Sequence, residues 1–388
     1  MHVADVTMFY APRSGGVRRY IDAKRAWLAA RPGFSHTLVV PAVPDAPVEA
    51  GVAALPSVPL PRSHGYRVPL SGAAAVRVLI ARRPTLIESG DPYHLAWAAL
   101  RAASKLRVPS VAFCHSDLPG VAGAQFGRRA ERVVARYYAA LYRHFDLVLA
   151  PSRAMTGRLH AWGIGRARHQ PLGVDLETFH PDRSERALRQ RIGLPQGARI
   201  VVYAGRFAPE KNLDVVVDAV RQLGRDYVAL LVGAGRAPRV LPPNVRIVPY
   251  IPGRAELASL LAACDVFVHA GDKETFGLGV LEALACGVPV VGADAAGVAE
   301  IVTPEAGLLV RARDASAFAQ GVVALLERDV EALRINARRR AEAFGWERIL
   351  PQIVARYEAL AARTCEGAAI TAPSALTDTS RAVPARIR

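Results

Sequence analysis

The sequence predicts an α/β fold in which two parallel-sheet domains face each other across a cleft. Three observations lead there. Short β-rich runs alternate with helical stretches in the first half, the alternation restarts in the second half, and a turn-rich segment at 170–195 separates the two. Two such domains direct the C-terminal ends of their strands into the shared cleft, where parallel sheets bind ligands.

In the first half, strands are expected at Val3–Phe9, Thr37–Pro41, Thr85–Ser89, Ser110–Cys114 and Leu147–Ala150. Helices are expected near Val17–Ala30, Ala73–Arg82, Tyr93–Lys105 and Phe126–Arg143, and the Pro- and Ala-rich run Pro41–Pro61 reads as an irregular excursion. In the second half, the strands are Ile200–Ala204, Val228–Val232, Arg246–Tyr250, Asp265–His269, Val288–Gly292 and Gly307–Val310. Helices fall near Leu213–Leu223, Ala255–Ala263, Leu278–Cys286 and Ala315–Arg328, with a further helical pattern over Trp346–Arg363. This places a first domain at 1–170 and a second at 171–345. The stretch 364–388 is rich in Ala, Thr, Ser and Pro without an apolar period, which predicts a disordered tail.

Composition narrows the class. With 388 residues, 51% hydrophobic and 22% charged, the chain has the balance of a folded globular protein. No apolar run of about eighteen residues is present, so no spanning helix is expected. The start, MHVADVTMFY, reads as a first strand rather than a signal peptide. Four cysteines without paired spacing (Cys114, Cys264, Cys286, Cys365) suit a reducing compartment, so cytoplasmic residence is the expectation. The net charge of +16 is carried mainly by arginine and suits nucleic acid, an anionic membrane surface or phosphorylated substrates. No nucleic-acid-binding motif or aromatic-interleaved basic platform accompanies it, so no nucleic acid partner is expected. Between Gln125 and Phe145, apolar and aromatic residues recur at helical spacing beside Arg128, Arg129, Arg132, Arg136 and Arg143. That pattern fits a basic amphipathic helix on an anionic membrane, and equally a core-facing helix with a solvated face.

The segment Glu274-Thr-Phe-Gly-Leu-Gly-Val-Leu-Glu282, with its Gly287-Val-Pro289 exit, carries the strongest chemical signal. It leaves a strand, passes a polar loop and enters a helix, so the amides of Phe276, Gly277 and Leu278 stand at a helix start able to bind a diphosphate. Gly277 permits close backbone approach. Glu274 and Glu282 can accept hydrogen bonds from the vicinal hydroxyls of a sugar and a ribose. A second signal, Gly205-Arg206-Phe-Ala-Pro-Glu210-Lys211-Asn212, follows another strand on the same face. Arg206 can bind a diphosphate bidentately and Lys211 as a mobile point charge. In the first half, Ser14-Gly15-Gly16 opens the first helix and lets a phosphate or sugar approach. The G-x-G-x-x-G dinucleotide fingerprint is absent there, which argues against an NAD site. His115 leaves the strand Ser110–Cys114 and can hydrogen-bond a sugar hydroxyl; Glu88-Ser-Gly-Asp91 ends another strand and is assigned to the acceptor side.

With these residues in place, the sequence resembles the retaining glycosyltransferases of family 4, from Val3 to about Arg363. The E-x7-E segment Glu274–Glu282 and the Gly205–Asn212 loop carry the resemblance, supported by Gly15-Gly16, Ala150-Pro-Ser152, Gly173-Val-Asp175 with Phe179 and Pro181, and the Trp346 helix. It implies a GT-B fold of two Rossmann-like domains, with the helix 346–363 crossing back to the first domain. It implies that Arg206 and Lys211 hold the donor diphosphate, Glu274 the transferred sugar and Glu282 the ribose. Gly16, Gly277 and Leu278 would approach phosphate, and His115 would contact the sugar.

Two departures stand out: Glu-Thr-Phe-Gly replaces the common E-P-F-G, and Ala296-Gly297 replaces paired glycines before Glu300. The opening Phe9–Gly16 looks like that of phosphatidylinositol mannosyltransferases, which favours GDP-mannose as donor and a lipid or glycan acceptor. The resemblance further implies same-face attack without a protein nucleophile. No Asp-x-Asp occurs in the chain and two protein cations can neutralise the diphosphate, so neither metal nor cofactor is expected. The rival readings are a UDP-sugar-dependent transferase acting on a polysaccharide or soluble acceptor, a sugar-nucleotide epimerase, and a non-catalytic nucleotide-sugar-binding protein.

Overall fold

The computed structural model describes residues 1–11, 15–44, 49–61, 65–184, 193–194 and 197–371, with 365–371 as backbone only. In the first half lie β1 (His2–Val6), β2 (Ser35–Pro41), β3 (Val52–Leu55), β4 (Ser57–Pro59), β5 (Arg67–Pro69), β6 (Leu86–Ser89), β7 (Ser110–Phe113), β8 (Leu147–Ala150) and β9 (Ala167–His169). Seven of them form one sheet in the order β3-β2-β1-β6-β7-β8-β9. Every neighbouring pair is parallel, with His2 opposite Ser35 and Val3 opposite Leu86 around the central β1.

The second half holds β10 (Arg199–Ala204), β11 (Tyr227–Gly233), β12 (Val245–Pro249), β13 (Val266–His269), β14 (Val290–Ala293) and β15 (Gly307–Val310). They form a six-stranded sheet in the order β12-β11-β10-β13-β14-β15, again parallel throughout. Strands such as β7 (SVAF) and β13 (VFVH) are buried along their whole length. Helices on both faces explain why they read as continuous apolar runs rather than alternating ones. The chain reverses its direction of travel between β1 and β6 and between β10 and β13. Crevices at such switch points are where open parallel sheets receive ligands.

Several elements differ from expectation. The supposed excursion Pro41–Pro61 contains β3, which extends the sheet, and β4, which pairs antiparallel with β5 as a separate ribbon. The basic segment is two helices, Leu118–Phe126 and Arg128–Tyr142, because Gly127 adopts φ +84° and breaks the run. Helices Arg153–Ala161, Ala296–Ile301 and Val330–Glu342 were not anticipated. The last buries only Leu333, Ala337 and Ala341, so its apolar stripe is narrow and built mostly of alanine.

The final helix runs from Trp346 to Thr371, beyond Arg363, so 364–371 is helical rather than a tail. The rest of that expected tail, and Ser14 and much of the 185–195 stretch of the expected hinge, lie outside the described residues. This helix returns to the first domain: Arg356 donates to Gln170 Oε1 at 2.9 Å, and Tyr357 is fully buried among first-domain residues.

Candidate active site

The residues expected from the sequence to grip the donor line one cavity of about 270 Å³ between the two sheets. These are Gly15, Gly16 and His115 from the first domain, and Arg206, Lys211, Glu274, Phe276, Gly277, Leu278 and Glu282 from the second.

The second domain supplies the charged wall. After β10, residues Pro209–Lys211 make a short 3-10 turn that ends at Asn212, which is held at φ +48°. The Asn212 amide donates to Ala270 O at 2.9 Å and Asp272 Oδ1 at 3.2 Å, tying this turn to the loop after β13. The tie brings Lys211 Nζ against Glu274 Oε2 in a close ion pair, and His269 Nε2 stands 3.4 Å from the same oxygen. Burial opposes ionisation of Glu274, but Lys211 and His269 overcome it and hold its carboxyl well below the usual range. Arg206 is more exposed, with Nη2 3.5 Å from Glu210. The role of Asn212 in building the site is not legible in its motif because its partners Ala270 and Asp272 are about sixty residues away, and that of His269 because it reads as the last residue of an apolar strand.

The helix Leu278–Ala285 begins at Gly277, whose φ of +106° suits glycine, and no side chain caps its start. Its uncapped end thus lies at the cavity, where a helix dipole favours an anion. Phe276 is buried, with its ring edge-on to Phe344. A Cβ on Gly297 would lie 2.6 Å from Phe276 Cα, and the Gly297 amide donates to Glu274 O at 2.9 Å. The Ala296-Gly297 pair, which departs from the paired glycines of the resemblance, therefore supports the Glu274 loop. Ala296 itself sits at φ +47°.

Glu282 is nearly inaccessible and forms an ion pair, through Oε1, with Arg19 of the helix Gly16–Ala29. Burial pushes its pKa up, against the pull of Arg19 and Arg254. Leu278 reaches across as well: a Cβ on Gly16 would lie 2.7 Å from Leu278 Cδ1.

His115 follows β7 with its ring stacked on Phe113, centroids 4.3 Å apart and planes 5° from parallel. Its Nε2 is buried without a hydrogen-bond partner, and burial, helped by Lys24, lowers its pKa to about 3. A neutral imidazole with one unsatisfied ring nitrogen is suited to accept from, or donate to, a bound hydroxyl.

Glu88 and Asp91, expected on the acceptor side, do not line the cavity. Glu88 is buried in a polar cluster: Lys24 Nζ lies 2.9 Å from Glu88 Oε1 and 2.7 Å from Asp5 Oδ1, and Tyr20 and Tyr357 bond Glu88 through their hydroxyls. The carboxylate of Asp91 is spent on the amides of Met8 and Tyr93. Both residues end a strand, but their side chains satisfy buried partners instead of a ligand.

Comparison with known proteins agrees with this architecture. Residues 184–343 match the family described as glycosyl transferases group 1, and 14–178 match glycosyltransferase family 4. A GDP-mannose-dependent alpha-(1-6)-phosphatidylinositol dimannoside mannosyltransferase of Mycobacterium tuberculosis is 33% identical over 94% of this chain and 98% of its own length. A GDP-mannose-dependent alpha-mannosyltransferase of Mycolicibacterium smegmatis is 31% identical over the same shares. Among solved structures, sucrose-phosphate synthase from Thermosynechococcus elongatus superposes with a TM-score of 0.78 at 25% identity, over 94% of this chain and 100% of that one. Anabaena HepE in complex with UDP and glucose shares the fold at a TM-score of 0.71 and 20% identity, over 93% and 100% of the chains. Two facing parallel-sheet domains, the E-x7-E helix start at their cleft and these relatives together establish that the chain is a glycosyltransferase of family 4 with the GT-B fold.

Proposed function

We propose that this enzyme transfers mannose from GDP-mannose to a hydroxyl of a lipid-linked inositol or glycan, retaining the anomeric configuration and requiring no metal. The observation that carries the reading is the pairing of Lys211 with Glu274 beside Arg206 at an uncapped helix start. A nucleotide diphosphate arriving there meets two cations and a helix dipole, which together stabilise charge on the leaving phosphate. Glu274 and Glu282, held by Lys211 and Arg19, would accept hydrogen bonds from sugar and ribose hydroxyls.

Both carboxylates lining the cavity are thus engaged by cations, which leaves neither poised as a nucleophile. Their engagement supports attack by the acceptor on the face from which the diphosphate departs. Neutral His115 would orient the sugar by a hydrogen bond. Among the described residues no group of three or more His, Cys, Asp or Glu is placed to hold a metal ion, and the two cations supply the neutralising charge. The preference for GDP-mannose and a lipid acceptor draws on relatives named for that donor and for phosphatidylinositol mannosides.

No helix among the described residues is long and apolar enough to cross a membrane. Association with an anionic membrane surface would use the helix Arg128–Tyr142, whose outward face combines Arg128, Arg129, Arg132 and Arg136 with exposed Val133.

A thermal-shift screen of GDP- and UDP-sugars tests the donor. GDP-mannose at a hundred times its Kd should add about 2.7 kcal/mol of stability. Stabilisation by UDP-glucose alone would favour the polysaccharide-directed reading, and binding without transfer to any acceptor a non-catalytic one. Transfer should persist undiminished in EDTA; strict dependence on Mn²⁺ or Mg²⁺ would overturn metal independence.

A further inference from the structure

Between the end of β7 at Phe113 and the helix that starts at Leu118 there is no regular structure, so the carbonyls of this turn must find other partners. Tyr138 OH donates to Ser116 O at 3.0 Å. His115 O is instead served from the opposite domain: Thr275 Oγ1 donates to it at 2.9 Å. Two residues before, Lys273 Nζ donates to Gly120 O at 3.2 Å, on the helix that Asp117 caps. The turn carrying His115 and the helix that follows it are therefore strapped, one contact each, to the same loop that presents Glu274 to Lys211.

We infer that Thr275 is a positioning residue, with Lys273 as its second strap, that aligns His115 with the donor only when the two domains are closed. The inference rests on the glycosyl-transfer reading of this cavity. Stacking on Phe113 fixes the plane of the imidazole and the His115 amide donates to Phe113 O at 3.1 Å, so the carbonyl is the end of this peptide that the opposite domain holds. A β-branched side chain on the opposing loop holds it well, because Thr has few χ1 choices and its hydroxyl stays aimed. The loop that grips the diphosphate and sugar thereby reports its own position to the group that contacts the sugar. A proline at this position would have no donor to offer the His115 carbonyl. In this chain the strap therefore depends on the threonine.

The test is steady-state kinetics of Thr275→Val and Thr275→Ser with GDP-mannose, alongside hydrogen exchange of amides 114–120 in the GDP-bound enzyme. Thr275→Val should lower kcat about tenfold, the rate equivalent of one hydrogen bond, while the donor KM moves less than about twofold. Exchange across 114–120 should quicken in parallel. Thr275→Ser should recover most of the rate, and Lys273→Met should lower kcat less than Thr275→Val and add to it in the double variant. A Thr275→Val enzyme with unchanged kcat and unchanged exchange overturns the inference, as does a loss confined to KM. If the wild type transfers no sugar from any GDP- or UDP-sugar while exchange still responds to Thr275→Val, the transfer reading fails and the strap itself stands.

Discussion

Arg19 and Glu282 pair across the cleft: a guanidinium on the first helix of the first domain binds a buried carboxylate one turn inside a helix of the second. This contact binds the carboxylate assigned to the ribose to the opposite domain. Removing the cation strands a charge that is nearly inaccessible to water. Arg19→Met should therefore lower stability by about 2 kcal/mol, measured by urea unfolding, and Arg19→Met/Glu282→Gln should regain most of it, because a neutral amide needs no counter-charge. Equal stability of Arg19→Met and wild type would show that the pair contributes nothing.

Arg206 and Lys211 should separate in their effects although both line the cavity proposed for the diphosphate. Each substitution to Met is expected to lower kcat/KM by about a hundredfold to a thousandfold, since each removes charge aimed at the leaving group. Only Lys211→Met should also lower the melting temperature, because Lys211 is well buried against Glu274 whereas Arg206 is half exposed. Parallel kinetics and melting curves check both halves.

The histidine makes a pH prediction with a definite sign. Burial lowers the pKa of His115 to about 3, so the folded protein keeps it neutral through pH 5–8. The rate should show no inflection near pH 6.5 from this group. Below about pH 6.5 the unfolded chain takes up a proton that the folded state refuses. The contribution to stability is thus complete above 6.5 and declines as pH falls toward 3. His115→Gln should flatten that decline in a stability–pH series; an unaltered slope would mean that His115 is not neutral in the folded protein.

Ala296 occupies the left-handed region at φ +47°, a conformation that costs a Cβ-bearing residue about 1 kcal/mol or more. Ala296→Gly should relieve this and, after the entropy cost of glycine, leave the protein up to about 1 kcal/mol more stable. Denaturant midpoints at constant m-value decide it, with a loss of stability as the contrary result.

The basic helix predicts association with acidic liposomes at low salt and release at high salt. Phe126 and Val133, 76% and 64% exposed, should contribute by insertion, so Phe126→Ser/Val133→Ser should weaken flotation without altering transfer to a soluble acceptor. Absence of flotation by the wild type at low salt would reject the membrane reading.

Much of the site could be read from the chain because its parts are local. Glu274, Gly277 and Glu282 belong to one strand–loop–helix unit, and Arg206 and Lys211 to another. Strand ends in parallel sheets share a face, so placing the units on strands places them together. Glu88 shows where this reasoning fails. It too ends a strand, yet Lys24, Tyr20 and Tyr357 claim its carboxylate, and Tyr357 arrives from a helix 269 residues later. Short or alanine-striped elements such as β9 and Val330–Glu342 escaped detection because their apolar period is brief or weak.

From the order of residues alone came the two parallel sheets, the cleft between them and the motifs that line it, since these depend on hydrophobic period and on spacing within a few turns. Tertiary structure decided the rest: that Arg19 meets Glu282, that Thr275 holds the His115 carbonyl, that Glu300 accepts from the amides of Arg153 and Ala154, and that Glu88 is structural. These contacts join residues on separate domains or on distant elements. Their formation depends on how the domains close and how the core satisfies its buried charges, and no local spacing encodes either.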